Sequence, residues 1–319
     1  MAQSLEQYIS LEDKDEIFAD HKIINTKTQL DELIEELNKY TTTRKTQKFL
    51  FRGVSEAKYK LYTSFQRLWI EHDIEKLSLD HIDRIALMIS HCNEKNHIFY
   101  KYFKRLGVIC NDWFILSFLQ HYGAATPLLD FSRDPYVALF FACDNISYTC
   151  SNREIDHYIS IYYYKAVDVA NQLAPSIYKI ATKKAENYTT YAGLKFWQTD
   201  LSFKKISSEH QVCIIPAYSN LSAINNKNKV LITEYTVSNL NSTVQNGEFI
   251  CNIDSVKPLE NVLIRHDKKY INCIDIHKGL VDYIIKQYLG GSIFDARLKY
   301  YPNEIDIAKQ AQLQMLSNI

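Results

Sequence analysis

Apolar and polar positions along this chain follow two periods in turn, and the change from one to the other falls near the middle. Leu30, Leu33, Ile34 and Leu37 recur at the i, i+3, i+4, i+7 spacing of an amphipathic helix that has Thr28 ahead of it and ends near Tyr40. The polar stretch TTTRKTQ leads to a strand over 47–52, where Phe49, Leu50 and Phe51 enter a core and Arg52 and Gly53 mark the end. From about 62 to 122 the spacing is helical, with a run near 79–105 and a helix opened by Asn111 and Asp112 and closed by Gly123. A short strand over 128–131 follows. Asp134 and Pro135 then start a helix carrying Val137, Ala138, Phe140, Phe141 and Ala142, since proline suits a first turn whose N–H groups have no intrahelical partner.

Beyond about 155 the pieces become strand-like: YISIYYY, QVCIIPA, KVLITEYTV, EFICNI and YINCIDI. A helix over 277–289 and another near 303–315 close the chain. The pattern predicts an α+β protein, helical in its first half and mostly β in its second. Residues 1–44 read as a helical N-terminal lead-in to one domain over 45–319.

Composition narrows the classes. A 46% hydrophobic share of 319 residues is enough for a sizeable core, and a net charge of zero with a pI near 7.1 supplies no global basic field. A nucleic-acid partner therefore needs a local patch. The seven cysteines are odd in number, dispersed and without a CxxC pair, which argues against a disulfide framework or a zinc site and for reduced, mostly buried thiols. No run of 18 apolar residues and no apolar leader core is present, so the reading is cytoplasmic with no membrane partner. Tyrosine, with 23 copies, serves cores and clefts alike.

Two stretches carry the candidate chemistry. In KFLFRGV, Arg52 beside a glycine at a strand end is either a snorkelling terminus or a group held for an anion. In HYGAATPLLDFSRDPYVALFFACDN, residues 121–145, a short strand ending Asp130-Phe131-Ser132 runs into the helix at Pro135. The free N–H groups of such a junction favour anions, making it a candidate phosphate corner; alternatively Asp134 or Ser132 simply caps the helix. KKAENYTTYAGLKFW, 183–197, interleaves lysines with aromatics in the way single-stranded nucleic acid is gripped.

FRG at 51–53 together with HYGAATPLLDFSRDPYVALFFA resembles the FRG domain family of bacterial proteins. The resemblance continues in QNGEF, at Gln245, Gly247 and Phe249, and in the segment LIRHDKKYINCIDIHKGLVDYIIKQYLGGSIFDA, so that it spans about 45–300. The chain departs from the family at Tyr122, where a second histidine or similar residue is usual, at Pro127, where an arginine is usual, and at Phe131-Ser132, where tryptophan-threonine is usual.

A second-order resemblance is to ADP-ribosyltransferases of the arginine-serine-glutamate type. Phe51-Arg52 looks like their first element, FSRDPYVALFFA like their second with Ser132 on its last serine, and Glu248 after Gln245 like their third. Asp130 and Phe131 stand in place of the first serine and the threonine, and Gln245 precedes Glu248 by three residues where that family spaces them by two.

The resemblance implies a split sheet, NAD as substrate, and an intracellular toxin or phage-defence effector that cleaves NAD and transfers ADP-ribose to a macromolecule, nucleic acid or protein. An antitoxin or other regulatory partner goes with that reading. It makes Arg52, Ser132 and Glu248 the catalytic candidates, and Arg52, Gly53, Tyr62, His121, Asp130 and Ser132 the cofactor-binding ones. Cleaving the nicotinamide–ribose bond develops a cation and needs its phosphates held, which suits an arginine and a carboxylate. Glu234 and Asp130 are the rival carboxylates, and Asp130 is also a mate that would make Arg52 structural. His121 is a base or an ordinary helix C-terminal histidine; Tyr59 or Tyr62 is a stacking ring or core. The alternative function is a non-catalytic nucleotide or nucleic-acid binding module. A metal hydrolase ranks behind both, because no metal-ligand spacing is present.

Overall fold

The computed structural model describes residues 4–42, 49–72, 74, 79–105, 111–148, 150–166, 168–169, 188–191, 194–197, 202–216, 221–226, 229–234 and 247–301; of 42, 188–191, 194–197, 216, 221–226 and 229–234 only the backbone is described. In chain order these give β1 (His21–Ile24), α1 (Lys27–Thr42), β2 (Phe49–Val54), α2 (Ser64–Glu71), α3 (His81–Asn93), α4 (Ile98–Arg105), α5 (Asp112–His121), β3 (Leu128–Ser132) and α6 (Pro135–Cys143). Then come β4 (Tyr158–Lys165), β5 (Tyr188–Tyr191), β6 (Leu194–Trp197), β7 (Val212–Pro216), β8 (Leu221–Asn226), β9 (Lys229–Glu234), β10 (Gly247–Asn252) and β11 (Asn272–His277). The fold is α+β. One sheet is mixed, with the order β1-β11-β4-β2-β3-β10-β7; β5-β6-β8-β9 form a second, antiparallel sheet.

The larger sheet consists of two ladders that meet at one residue pair. β2 is laddered to β4 from Phe49↔Lys165 to Val54↔Ser160, and β3 to β10 from Cys251↔Leu128 to Gly247↔Ser132. Between β2 and β3 the pairing is Phe51↔Ser132 alone. Beyond it Arg52 and Gly53 lie on one lip of an opening and Asp130 and Phe131 on the other.

Local chemistry explains most of the elements. α1 buries Leu30, Leu33, Ile34 and Leu37, as its spacing requires, in a core with Phe51, Val137 and Ile161. Thr63 and Gln66 close a capping box at α2, and Asp80, Asn111 and Asp134 cap α3, α5 and α6 through their side chains. On the opposite face of the sheet, Leu50, Leu129, Phe131 and Ile250 pack with Tyr8, Leu11 and Phe18 from the N-terminal segment. Strand alternation divides the two cores at β2, where Leu50 enters one and Phe51 the other.

Several sequence expectations shift. β2 runs to Val54, so Arg52 and Gly53 sit inside the strand, opposite Tyr162 and Ile161, and do not end it. The N-terminal segment supplies an edge strand, β1, as well as a helix. The run near 79–105 is broken between α3 and α4 at Glu94, whose backbone is extended. The segment read as a helix from 277 begins as the end of β11; a 3-10 turn over Lys278–Leu280 precedes the helix Val281–Tyr288. A helix over Ile293–Tyr300, capped by Ser292, went unforeseen, and the helix expected near 303–315 lies outside the described residues.

Among the described cysteines Cys92, Cys143, Cys213, Cys251 and Cys273 are buried, Cys150 is exposed, and all are free thiols. No described helix is long and apolar enough to cross a membrane.

A buried carboxylate ties the fold to pH. Asp156 accepts from Lys58 Nζ at 2.9 Å, Arg153 Nε at 2.9 Å and Ser151 Oγ at 2.5 Å. Burial by itself would raise its pKa, but these donors outweigh it and hold the carboxyl below the usual carboxylate range. A lowered pKa stabilises above the unfolded value of about 3.9 and is lost as pH falls through the folded value. The melting temperature should therefore drop on acidification below about pH 5, and Asp156→Asn should flatten that drop. Calorimetric scans from neutral to acid pH that show identical slopes for both proteins would refute the assignment.

Candidate functional site

The opening between β2 and β3 is the mouth of a cleft of about 420 Å3, lined from both ladders and by α5, α6 and the chain after the helix at 293–300. Arg52 is its most constrained cation. Nη1 donates to the backbone carbonyl of Asp130 at 2.8 Å and lies 3.8 Å from that residue's carboxylate. The Arg52 side chain is 21% exposed, yet its Nε is buried without a hydrogen-bond partner among the described residues. Burial lowers the Arg52 pKa and Arg67 acts in the same direction, while Asp130 opposes them. Arg67, on α2, is exposed, lines the same cleft and makes no ion pair among the described residues. Two guanidinium groups thus face one space with a single half-exposed carboxylate at 3.8 Å from one of them.

Asp130 is fixed by its neighbours. Gln120 Nε2 donates to its Oδ2 at 2.7 Å, and the Thr126 hydroxyl, itself buried, donates to Gln120 Oε1. The relay Thr126–Gln120–Asp130 fixes the carboxylate near Arg52. Asp130 is the mate that the sequence suggested, although its carboxylate is the more distant of its two contacts with Arg52.

The strand-to-helix junction differs from an open phosphate corner. Ser132 is buried and its Oγ accepts the Asp134 N–H at 2.9 Å; Asp134 Oδ1 accepts the Tyr136 N–H at 2.9 Å; Pro135 has no N–H. These N–H groups are already satisfied within the chain, which leaves Arg52 and Arg67 as the permanently charged cations in the cleft lining.

Glu248 lies in β10 opposite Phe131 and is buried. It accepts from Arg133 Nε at 2.7 Å and also from Arg133 Nη2, so this carboxylate is oriented by an ion pair and is no solvated turn residue. Gly53 presses directly on α6: a Cβ there would lie 1.8 Å from the Ala138 carbonyl oxygen. His121, the last residue of α5, lines the cleft. Tyr62 is buried outside the lining, in which Tyr59, Phe141 and Tyr301 are the phenyl and phenol rings that are not buried. Pro127 is buried as well. Glu234 belongs to β9, its side chain outside the description, and Gln245 lies outside the described residues. The structure therefore brings Arg52, Gly53, His121, Asp130, Ser132 and Glu248 to one cleft and adds Arg67, Gln120, Tyr301 and the supporting Arg133.

A second polar cluster resembles a metal site. His21, Cys273 and Asp275 offer ligand atoms within 4.8 Å of one another. The Lys14 ammonium stands among them, 2.7 Å from Asp275 Oδ1 and 3.7 Å from Cys273 Sγ, and supplies the positive charge there.

Residues 47–149 match the FRG domain. The matched segment contributes β2, α2–α6 and β3, and with them Arg52, Arg67, Gln120, Asp130 and Ser132. Glu248 and Tyr301 lie beyond it. Comparison with curated proteins and with solved structures found no match.

Proposed function

We propose that the cleft binds NAD and that the protein transfers ADP-ribose from it to a macromolecular acceptor. The observation that carries this reading is Arg52, a cation inside a β-strand whose buried Nε has no hydrogen-bond partner among the described residues, at the edge of a cleft that a second arginine also faces. Two guanidinium groups facing one space suit a pyrophosphate, and the contacting rings of Phe141 and Tyr301 suit a planar heterocycle.

In this reaction the C1′–nitrogen bond of NAD breaks and nicotinamide leaves with the electron pair. The cation at C1′ is attacked by an acceptor nucleophile, whose proton is released. In this reading Glu248, aimed by Arg133, stabilises that cation, and Asp130 and His121 hold hydroxyls or take the proton. Ser132 acts by fixing the turn into α6. The biological setting proposed with it is an intracellular toxin or phage-defence effector.

The test is release of nicotinamide from NAD by purified protein, with and without cell lysate. Arg52→Lys and Glu248→Gln should each lower release by ~100-fold or more, the scale of losing one charge-stabilising group. Unchanged release in both variants would end the transferase reading. One observation favours a second reading, a nucleotide-binding module without turnover: Glu248 is already ion-paired to Arg133. In that case NAD or ADP raises the melting temperature and no nicotinamide appears.

A further inference from the structure

We infer that the surface running from the cleft mouth across α4 is a docking site for single-stranded nucleic acid, which is then the acceptor in the proposed transfer. As a binding surface it stands independently; as the acceptor site it rests on the transferase reading.

The surface begins at His121, a cleft-lining residue whose ring centroid is 4.8 Å from that of Tyr122. Tyr122 is 61% exposed and is supported from beneath by Phe118 at 4.5 Å. Phe118 contacts Phe103 of α4 at 5.3 Å, and Phe103 contacts Tyr102 at 5.0 Å. Tyr102 is 54% exposed. Tyr122 and Tyr102 are thus the exposed ends of a chain of ring contacts that runs beneath the surface through Phe118 and the buried Phe103.

α4 explains why that face is open. Phe99 and Phe103 occupy its buried side, leaving Ile98, Lys101, Tyr102 and Arg105 on the exposed side by helical spacing. The helix sequence, IFYKYFKR, has three cations and no acid. Lys101, Lys104 and Arg105 make no ion pair among the described residues, and the acids of α3 and its two ends have partners of their own. Glu94 meets His91 at 3.2 Å, Asp83 meets Lys204 at 2.5 Å, and Asp80 accepts the Asp83 N–H at 2.7 Å. Cations without an ion-pair partner beside exposed tyrosines match a partner with a repeating negative charge and unpaired planar rings. A duplex offers the charge without the free rings, and a protein acceptor needs neither.

The experiment is fluorescence anisotropy of a short labelled oligonucleotide, single-stranded or as the duplex, without NAD and across a salt series. Wild-type protein should bind the single strand at least tenfold more tightly than the duplex, with affinity falling as salt rises. K101E/R105E should weaken binding tenfold or more and reduce the salt dependence. Y102A/Y122A should weaken it about tenfold with the salt dependence retained, because stacking is lost and charge is not. Circular dichroism establishes that both variants are folded. No single-strand binding at low salt, equal binding by the folded variants, or a preference for the duplex would each overturn the proposal. Nicotinamide release measured alongside separates the two readings. Release without oligonucleotide binding leaves the transferase standing and removes this acceptor; binding without release keeps the surface and removes the transfer.

Discussion

Gly53→Ala is expected to destabilise the protein by about 3 kcal/mol or more, a large part of the ~5–15 kcal/mol that separates a folded domain from its unfolded chain. The added Cβ would meet the Ala138 carbonyl oxygen at 1.8 Å and the Ala142 nitrogen at 2.7 Å. Both are helix backbone atoms, so no rotamer change relieves the overlap. β2 itself is laddered to β4 along its whole length. Relief would require α6 to move off the sheet, which exposes Val137, Leu139 and Phe140 of the same core. Urea unfolding followed by tryptophan fluorescence should show a lower midpoint at an unchanged slope. A wild-type midpoint would mean that β2 and α6 can separate at little cost, and the packing account of this glycine would fail.

That glycine shows what the sequence could disclose. A glycine beside a strand arginine signals close backbone approach, but the chain alone does not say what approaches. A ligand was the expectation and α6 is the nearest neighbour, since periodicity marks a helix and not the strand it covers. The extension of β2 through Arg52 was hidden for a similar reason, because a charged residue followed by glycine reads as a stop. The cap at Asp134, the Asn111 cap of α5 and the buried stripe of α1 depend on local chemistry and are legible, whereas Asp112, the other cap candidate there, turns its carboxylate to the Phe203 N–H.

The rest of the site depends on contacts distant in sequence. Arg67 sits on the polar side of an ordinary amphipathic helix, and only the tertiary fold brings it within electrostatic reach of Arg52. Tyr301 follows a helix that the apolar pattern did not reveal, yet it joins residues some 170 positions earlier in the cleft lining. Arg133 is inconspicuous within the DFSRDP stretch because its partner, Glu248, lies 115 residues away. Conversely, the Ser132–Asp134 turn is readable as a cap from the sequence, and in the structure its N–H groups are satisfied within the chain.

The other large effect is expected at Lys14, whose side chain is fully buried although the sequence EDKDE marks it as a surface residue. Its ammonium donates to Asp275 Oδ1 at 2.7 Å and Ser160 Oγ at 2.9 Å, and lies 5.4 Å from the ring centroids of both Tyr8 and Tyr162. Asp275 is held on its other side by His21 Nε2 at 2.8 Å. Burial would raise the Asp275 pKa, but Lys14 and the hydrogen bonds from His21, Lys14 and Ser160 bring it below the usual range. Lys14→Met removes one partner of a buried pair and should cost about 3–5 kcal/mol. His21 then becomes the cation left to Asp275. Burial lowers the His21 pKa, yet its bonds to Asp275 and Asp15 outweigh burial and raise it overall. A raised histidine pKa stabilises below the unfolded value of about 6.5 and is lost as pH climbs through the folded value. The Lys14→Met protein should therefore regain stability at pH ~6 relative to pH ~8, by more than wild type does, in urea midpoints measured at both. Adding Asp275→Leu should recover part of the loss, because a buried charge without its partner is the costly state. Equal pH responses in variant and wild type would show that His21 does not take over from Lys14.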